Sequence, residues 1–484
     1  MKKHCLYMVM SGLLGVLACD SKLNLEPISS ITTNSFWKTP EDAEGALNGV
    51  YNQYRNTFKM DLLFWGEFRT GFWTFGTSGG AQDYTQLWNN SPTRTTSGTN
   101  WSSLYTLIND CNLILKHVPE INFSNASRKD EILGHAHFLR ALAYFWVARI
   151  WGDAPLAVEG FESPAQELNL SRSPKAELFA QAKADVDLAV ANLAAGTPGS
   201  RAFYSSKAAA NMLKADIYLW TAKREGGGNA DLEIARQAVD AVLASGYQLD
   251  VGYENVFRQD NNREIIFSIY YDQLEGGSQL GNQFVNQITR VPAGARDTVP
   301  HHAGPQWLGL SNAFTNTILK PESEDSRTST IWRVVEIPGS QPVVWINKYL
   351  GQVVQGTRLF TDDTRVYRFA EALLFKAEIE NALGNTPEAI NYMNGAVSRA
   401  YGVDDYYELS MSTEEADNAI LRERLIEFTA EGKAWFDIIR FDKAFELIGS
   451  LTGRENEYQG NILYFPVAQD VMNRNVNVIQ TDGY

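Results

Sequence analysis

Apolar residues recur at helical spacing over most of the chain, and nowhere more densely than between Gly134 and Pro155. Phe138, Leu142 and Phe145 form one row, Leu139, Trp146 and Ile150 form a second beside it, and Val147 lies further round. A helix apolar over most of its circumference has to be enclosed by neighbours, so this stretch predicts the central post of a large helical body. Gly152 and Pro155 end it, the proline for want of the amide that a continuing helix needs. Arg140, Tyr144 and Arg149 fall within the apolar surface, where a guanidinium needs partners for its donors, and they are read as structural.

Further helices are expected on both sides. Thr39 is placed to cap a helix that starts at Pro40, with Glu41 and Asp42 in its first turn and Ala46, Leu47, Val50, Tyr51 and Tyr54 on its apolar face. Helix resumes at Trp101, and others are expected at 173–193, 207–221, 232–244, 365–383 and 387–401. Small alanines at the crossing points, with large apolar residues between them, are what helical hairpins need to pack closely. The turn LGNTPEA beginning at Leu383 looks like a tetratricopeptide (TPR) turn, although the strict consensus repeat is absent, so the pairs are TPR-like.

Two stretches break the pattern. Residues 62–100 are dominated by Gly, Thr, Ser and Asn, with Trp65, Phe72, Trp73, Phe75, Tyr84 and Trp88 interspersed. Residues 264–269 read as a short strand, and a long section of weak periodicity follows, carrying Tyr270, Tyr271, Trp307, Trp332 and Trp345. The expected fold is mainly α, with TPR-like helical hairpins packed against a loop-rich irregular subdomain that has few short strands. Its expected divisions are a helical region at 36–260 with a loop insertion at 62–100, the loop-rich subdomain at 261–362, and a second helical region at 363–484.

A formal charge of −15 excludes nucleic acid and an anionic membrane surface as natural partners. The N-terminus changes the picture further. Lys2 and Lys3 precede an apolar run from Leu6 to Leu17 that is too short to span a bilayer, and the run ends at Val16-Leu17-Ala18-Cys19. This is a secretory signal, 1–18, that looks like a bacterial lipobox, with Cys19 as the lipidated residue and 19–35 as a polar tether. Of the three cysteines, Cys5 would leave with the signal and Cys19 would carry lipid, so Cys111 has no disulfide partner. His301-His302 has no nearby Cys or His companion and is read as a loop feature rather than a metal site; no cofactor is expected.

Several stretches also resemble one known family. The central G-x-A-x-F-L-R-A-x-A-Y-F followed by G-D-x-P-L, the opening FWKTPEDAxxALNGVY and the Ile108-Asn109-Asp110-Cys111-Asn112 segment are similar to parts of the SusD/RagB family of outer-membrane nutrient-binding lipoproteins of Bacteroidetes. Arg365 to Leu374 resembles its YRLAE helix. Glu423-Arg424, Glu427-Phe428, Glu431-Gly432 and Trp435-Phe436-Asp437 resemble its ER-x-x-E-x-x-x-EG-x-R-W-x-D block, with Lys433 in place of the arginine. Asp325-x-Arg327, Lys348-Tyr349 and the closing Gly483-Tyr484 fall in the family's order. The resemblance implies a surface-exposed lipoprotein without catalytic activity. It would capture an oligosaccharide, or in some members a peptide, and close as a lid over a SusC-like TonB-dependent barrel. A TPR-like protein-interaction adaptor is the remaining alternative.

Two features compete for a functional role. Glu427 and Glu431 lie one helical turn apart, close enough to suggest an acid/base pair, but most glycosidases bring their carboxylates from different elements to flank a bond, so pairing with arginines in a helical core is the better reading. Sugar binding asks instead for exposed aromatic planes with amides or carboxylates at the rim. Trp73, Asp83, Tyr84, Trp88, Asn89 and Asn90 in the first irregular segment, and Trp307 and Trp332 in the second, are the candidate ligand residues. Trp88, Tyr84 and Trp307 are expected to converge on one shallow site with Asn89 and Asn90 at its edge, whereas Trp101 and Trp435, inside helix motifs, are assigned to the core.

Overall fold

The computed structural model describes residues 36–484 except 81, 164, 165, 168, 275, 276 and 321–323. The signal 1–18, Cys19 and the tether 19–35 lie outside the described residues. Helix α1, Pro40–Phe58, begins as its sequence requires: Thr39 Oγ1 accepts from the Asp42 amide and the Asp42 carboxylate accepts from the Thr39 amide, a reciprocal cap with Pro40 at the first helical position. The chain continues through α2, Ser102–His117, to the central α3, Ala126–Trp151, in which every residue from Phe138 onward is buried.

Two polar residues of α3, Arg140 and Tyr144, find the hydrogen-bond partners that burial demands, and a third, Arg149, is held by rings and one longer ion pair. Arg140 holds Asp185 through Nε and Nη2, at 2.8 and 2.6 Å, and gives Nη1 to Asn112. Tyr144 donates to the carbonyl of Ala157. Arg149 lies 3.7 Å from the Phe145 ring and 4.0 Å from Phe436, with Asp216 at 3.7 Å. Gly134 is where α3 meets the next helix, since a Cβ there would press on Asn192 and Leu193 at about 3.1 Å.

From α3 the helices pack in sequence order: α4, Lys175–Asn192, on α3; α5, Lys207–Arg224, on α4; and α6, Gly228–Leu243, on α5. After an excursion, α7, Phe369–Ala382, packs on α6, and α8, Thr386–Tyr401, and α9, Thr413–Glu427, both pack on α7. The hairpin α7–α8 turns at Gly384, with φ +87°, as a TPR-like pair does. A short helix, Ala434–Arg440, follows.

The excursion between α6 and α7 holds small two-stranded sheets. Its base is β2, Ile265–Ile269, paired antiparallel with β10, Thr364–Arg368, so the loop-rich region leaves and re-enters the helical body at one place. This corrects the expectation of helix from residue 365. Thr364, Val366 and Tyr367 suit a strand, and pairing with β2 overrides a helical pattern that is sound only from Phe369. One apolar core runs through all three regions, with a satellite of Val291, Val299, Val343 and Trp345 in the excursion. Residues 62–100 are more ordered than a loop: they hold helices Asp61–Gly66 and Gln82–Trp88, because Phe64, Trp65 and Phe68 are buried. His301–His302 is a strand, β4, parallel to β3, Asn286–Gln287, rather than a plain loop. Among the described residues no helix is long and apolar enough to cross a membrane, and no group of three or more His, Cys, Asp or Glu could hold a metal ion.

Candidate functional site

The two irregular segments that carry the candidate aromatics meet. Strand β1, Trp73–Phe75, pairs antiparallel with β5, Leu308–Leu310, in the register Trp73 to Leu310 and Phe75 to Leu308. The ladder is extended at both ends, since Ser311 N donates to Phe72 O and Gly76 N donates to Trp307 O, each at 2.8 Å. Gln306, fully buried, locks the open end: its Nε2 donates to the carbonyls of Phe284 and Val344, and its Oε1 accepts from Thr77 Oγ1.

Alternation along this ribbon sorts the rings onto two faces. Trp73 and Phe75 share one face. There Trp73 is buried against Phe68 and Phe284, and Phe75 lies edge-on to Trp88 with ring centres 4.7 Å apart. Tyr84 joins this cluster through Phe68 and Trp88, and burial together with the nearby Asp83 raises its phenol pKa. Continuing the alternation puts Trp307 on the other face with Thr74 and Gly309, and Trp332, the first residue of β6, Trp332–Val335, packs there against Gly309. Tyr84 and Trp88 are thus brought together, whereas Trp307 lies on the opposite face of the ribbon, which corrects the expectation that the three rings converge on one site. At the open end of the ribbon Phe75 and Trp307 are each exposed by more than a third, at 38% and 37%. Phe75 is absent from the candidates chosen by sequence; the W-T-F alternation of 73–75 was the available signal, placing it on the side of Trp73 and one step nearer solvent.

The polar candidates divide. Asn89 is exposed, with its carbonyl accepting from Arg454. The carboxylate of Asp83 is half-buried and accepts from Ser97 Oγ. Asn90 is a correction, because it is fully buried: its Oδ1 accepts from Arg69 Nε at 2.8 Å and its Nδ2 donates to Arg69 O and Ser450 Oγ. Arg69 in turn spends Nη1 and Nη2 on the carbonyls of Ile462, Leu463 and Tyr464 and lies over the Trp435 ring at 4.4 Å. Asn90 therefore orients the guanidinium that fastens this segment to the C-terminal part of the chain, and it cannot reach a ligand. Trp73, only 3% exposed, likewise belongs to the packing beneath the ledge that Phe75, Trp88 and Trp307 form at the open end of the ribbon. Trp101 and Trp435 are core residues as expected.

Glu427 and Glu431 are fully buried, inside a lattice of ion pairs. Arg327 reaches Asp325, Glu423 and Glu427; Arg368 reaches Glu264, Glu427 and Glu431; Lys348 reaches Glu431 at 2.7 Å. Three arginines hold the Glu427 carboxyl well below the usual range despite its burial, and Arg368 and Lys348 do the same for Glu431. Burial lowers the Lys348 ammonium to about 8. Neither carboxylate is placed to exchange a proton with a substrate, because every charge in the cluster is answered from within the protein.

Comparison with known proteins bears on the same elements. Residues 339–484 match the model of the SusD family, and residues 67–219 match a second one described as starch-binding associating with outer membrane. A SusD-like protein of Formosa agariphila is 28% identical over 494 residues, 91% of this chain and 92% of its own. The chain belongs to the SusD family. Among solved structures of family relatives, B. fragilis NanU superposes with a TM-score of 0.80 at 25% identity, covering 95% of this chain and 100% of NanU. Surface glycan-binding protein A from Bacteroides thetaiotaomicron has the same fold, with a TM-score of 0.74 at 18% identity over 92% of this chain and 100% of its own. Asp325, Arg327, Lys348, Arg368, Glu427 and Glu431, which lie in stretches that resemble the family, all belong to the buried lattice, so at these positions the resemblance lies in the core.

Proposed function

We propose that this SusD-family chain is a non-catalytic, lipid-anchored glycan-binding protein of the outer membrane, which captures an oligosaccharide and passes it to a SusC-like TonB-dependent barrel. The observation that carries the reading is the pair of partly exposed rings, Phe75 and Trp307, held on the two faces of the open end of the β1–β5 ribbon with Trp88 behind Phe75. Aromatic faces receive the C–H patches of a pyranose, and a glycan passing over the end of the ribbon would meet Trp88 and Phe75 on one side and Trp307 on the other, with Asn89 and Asp83 at the rim for hydroxyls. Trp332 extends the platform on the Trp307 side. The starch-binding description of the matching model and the glycan-binding name of a structural neighbour support the ligand class. Cys19 after an apolar signal supports the anchor. The barrel partner rests on family membership alone.

The reading is tested by binding of the purified chain to a glycan array beside a peptide array, and by isolating the protein from its native membranes under mild detergent. Retention on glycans and recovery together with a TonB-dependent barrel are expected. Binding confined to peptides, or recovery without any such barrel, would overturn the corresponding part.

A further inference from the structure

A second aromatic cleft, sharing no residue with the ledge, opens between the middle of α1, the segment before α5 and the end of β2. Its volume is about 740 Å³, within the range of sites that take a small organic ligand, roughly 300–1,000 Å³. Four rings from three separate parts of the chain form a continuous wall. Tyr51 and Tyr204 lie edge to face at 4.6 Å, Tyr204 and Phe203 at 4.8 Å, and Phe203 and Tyr270 at 4.9 Å. Tyr204 keeps 38% of its surface in solvent, and the other three are half-buried.

This wall is fixed in place before any ligand arrives. The Tyr51 hydroxyl sits between His135 Nδ1 at 2.9 Å and Ser205 Oγ at 3.0 Å, and accepts from the Ser205 amide at 2.9 Å. Burial lowers the His135 pKa to about 3, so the imidazole there is neutral and serves as a fixed strut. The Tyr270 ring is backed by the Arg201 guanidinium at 4.3 Å, itself clamped on Asp363 at 2.7 Å. Rings immobilised in this way lose little freedom when something packs on them.

The polar edge of the cleft is equally selective. Asn48 and Asn52 stand one turn apart on α1, both exposed. Their carboxamide oxygens are already taken, Asn48 Oδ1 by the Tyr204 hydroxyl and Asn52 Oδ1 by Arg55 Nη2 at 2.6 Å. With one lone pair of each oxygen used, the two amides keep both N–H donors for a ligand, which suits one rich in acceptor oxygens. Flat C–H faces to lie on phenol rings and oxygens to meet paired amide donors are together the properties of a pyranose.

We propose that this cleft is a second carbohydrate subsite, taking one or two pyranose residues between the Tyr51–Tyr204–Phe203–Tyr270 wall and the Asn48/Asn52 edge. The inference rests on the reading of the chain as a glycan binder and adds a site to it. The test uses saturation-transfer NMR of the full mature chain with maltohexaose, cellohexaose, xylohexaose and trigalacturonate. With the ledge disabled by Trp88→Ala and Trp307→Ala, at least one sugar should still receive saturation, and adding Tyr204→Ala and Asn48→Ala should abolish that transfer while circular dichroism stays unchanged. No transfer to any of the four sugars in the ledge-disabled chain overturns the proposal, and so does transfer that survives the cleft substitutions. The cleft variant with its ledge intact reports separately on the ledge, so its silence would sink that reading and leave the cleft standing.

Discussion

Arg368 grips Glu431 through two parallel contacts, Nε to Oε2 at 2.9 Å and Nη2 to Oε1 at 3.0 Å, with both side chains fully buried. Arg368 ends β10 and Glu431 lies just after α9, while Lys348, which holds the same carboxylate, comes from the loop-rich excursion. One carboxylate thus ties the excursion, the sheet at its base and the C-terminal helices together. Such a cluster costs desolvation to assemble, and its energetic signature appears when one member is removed.

Arg368→Met should therefore lower the unfolding free energy by about 3–5 kcal/mol, because it takes one cationic partner from each of the buried Glu264, Glu427 and Glu431 carboxylates. Replacing Glu427 and Glu431 together by glutamine should also weaken the fold. Chemical denaturation reads both. A double glutamine variant that keeps its stability but loses a glycan hydrolysis measurable in the parent would make the pair catalytic and refute the structural assignment.

Glu67 gives a pH-dependent check on the same side of the molecule. Its carboxyl is buried and accepts from the Gly432 amide at 2.9 Å, where the short helix Asp61–Gly66 comes so close that a Cβ on Gly66 would lie 2.0 Å from Gly432 O. Burial raises the Glu67 pKa from 4.5 to about 8. An acid whose folded value lies above its unfolded one stabilises the fold below pH 4.5 and loses that contribution as the pH rises through about 8. Relative to wild type, Glu67→Gln should gain stability on going from pH 5 to pH 8, by about 3 kcal/mol. A stability difference that is flat over this window would mean that Glu67 is ionised in the fold.

Asn89 and Asn90 are neighbours with opposite assignments. Asn90→Ala leaves the buried Arg69 Nε without its acceptor and should cost about 1–3 kcal/mol in a denaturant melt. Asn89→Ala should leave the melt unchanged and weaken glycan binding. The reverse pattern would place Asn90 at the ligand.

At the other end of the chain, Cys19→Ala should move the protein from the membrane fraction to the soluble periplasmic fraction. Unchanged fractionation would rule out Cys19 as the anchor.

Much of this architecture is legible from sequence because its causes are local. Thr39, Pro40 and Asp42 specify a helix start within four residues, and α3 announces its burial by being apolar all round. The TPR-like turn at Gly384 is likewise written in adjacent residues. What escapes the sequence depends on partners far along the chain. Residues 365–368 become strand because β2 lies beside them, and Asn90 becomes a core residue because Arg69 reaches past it to carbonyls at 462–464. The relation of Trp88 to Trp307 is set by the β1–β5 register, which turns on which residue faces which. Phe75 is exposed for the same reason, and no composition argument separates it from buried Trp73.

The central claim is that the ledge at the end of the β1–β5 ribbon takes the glycan. It is tested most directly by isothermal titration of the best array-identified oligosaccharide into the chain carrying Tyr204→Ala and Asn48→Ala, which silence the cleft, with Trp88→Ala or Trp307→Ala added singly and each variant melted in parallel. The account predicts that either substitution removes the binding heat while the melting temperature stays close to that of the parent. Both variants binding like the parent, or both unfolding, would contradict it.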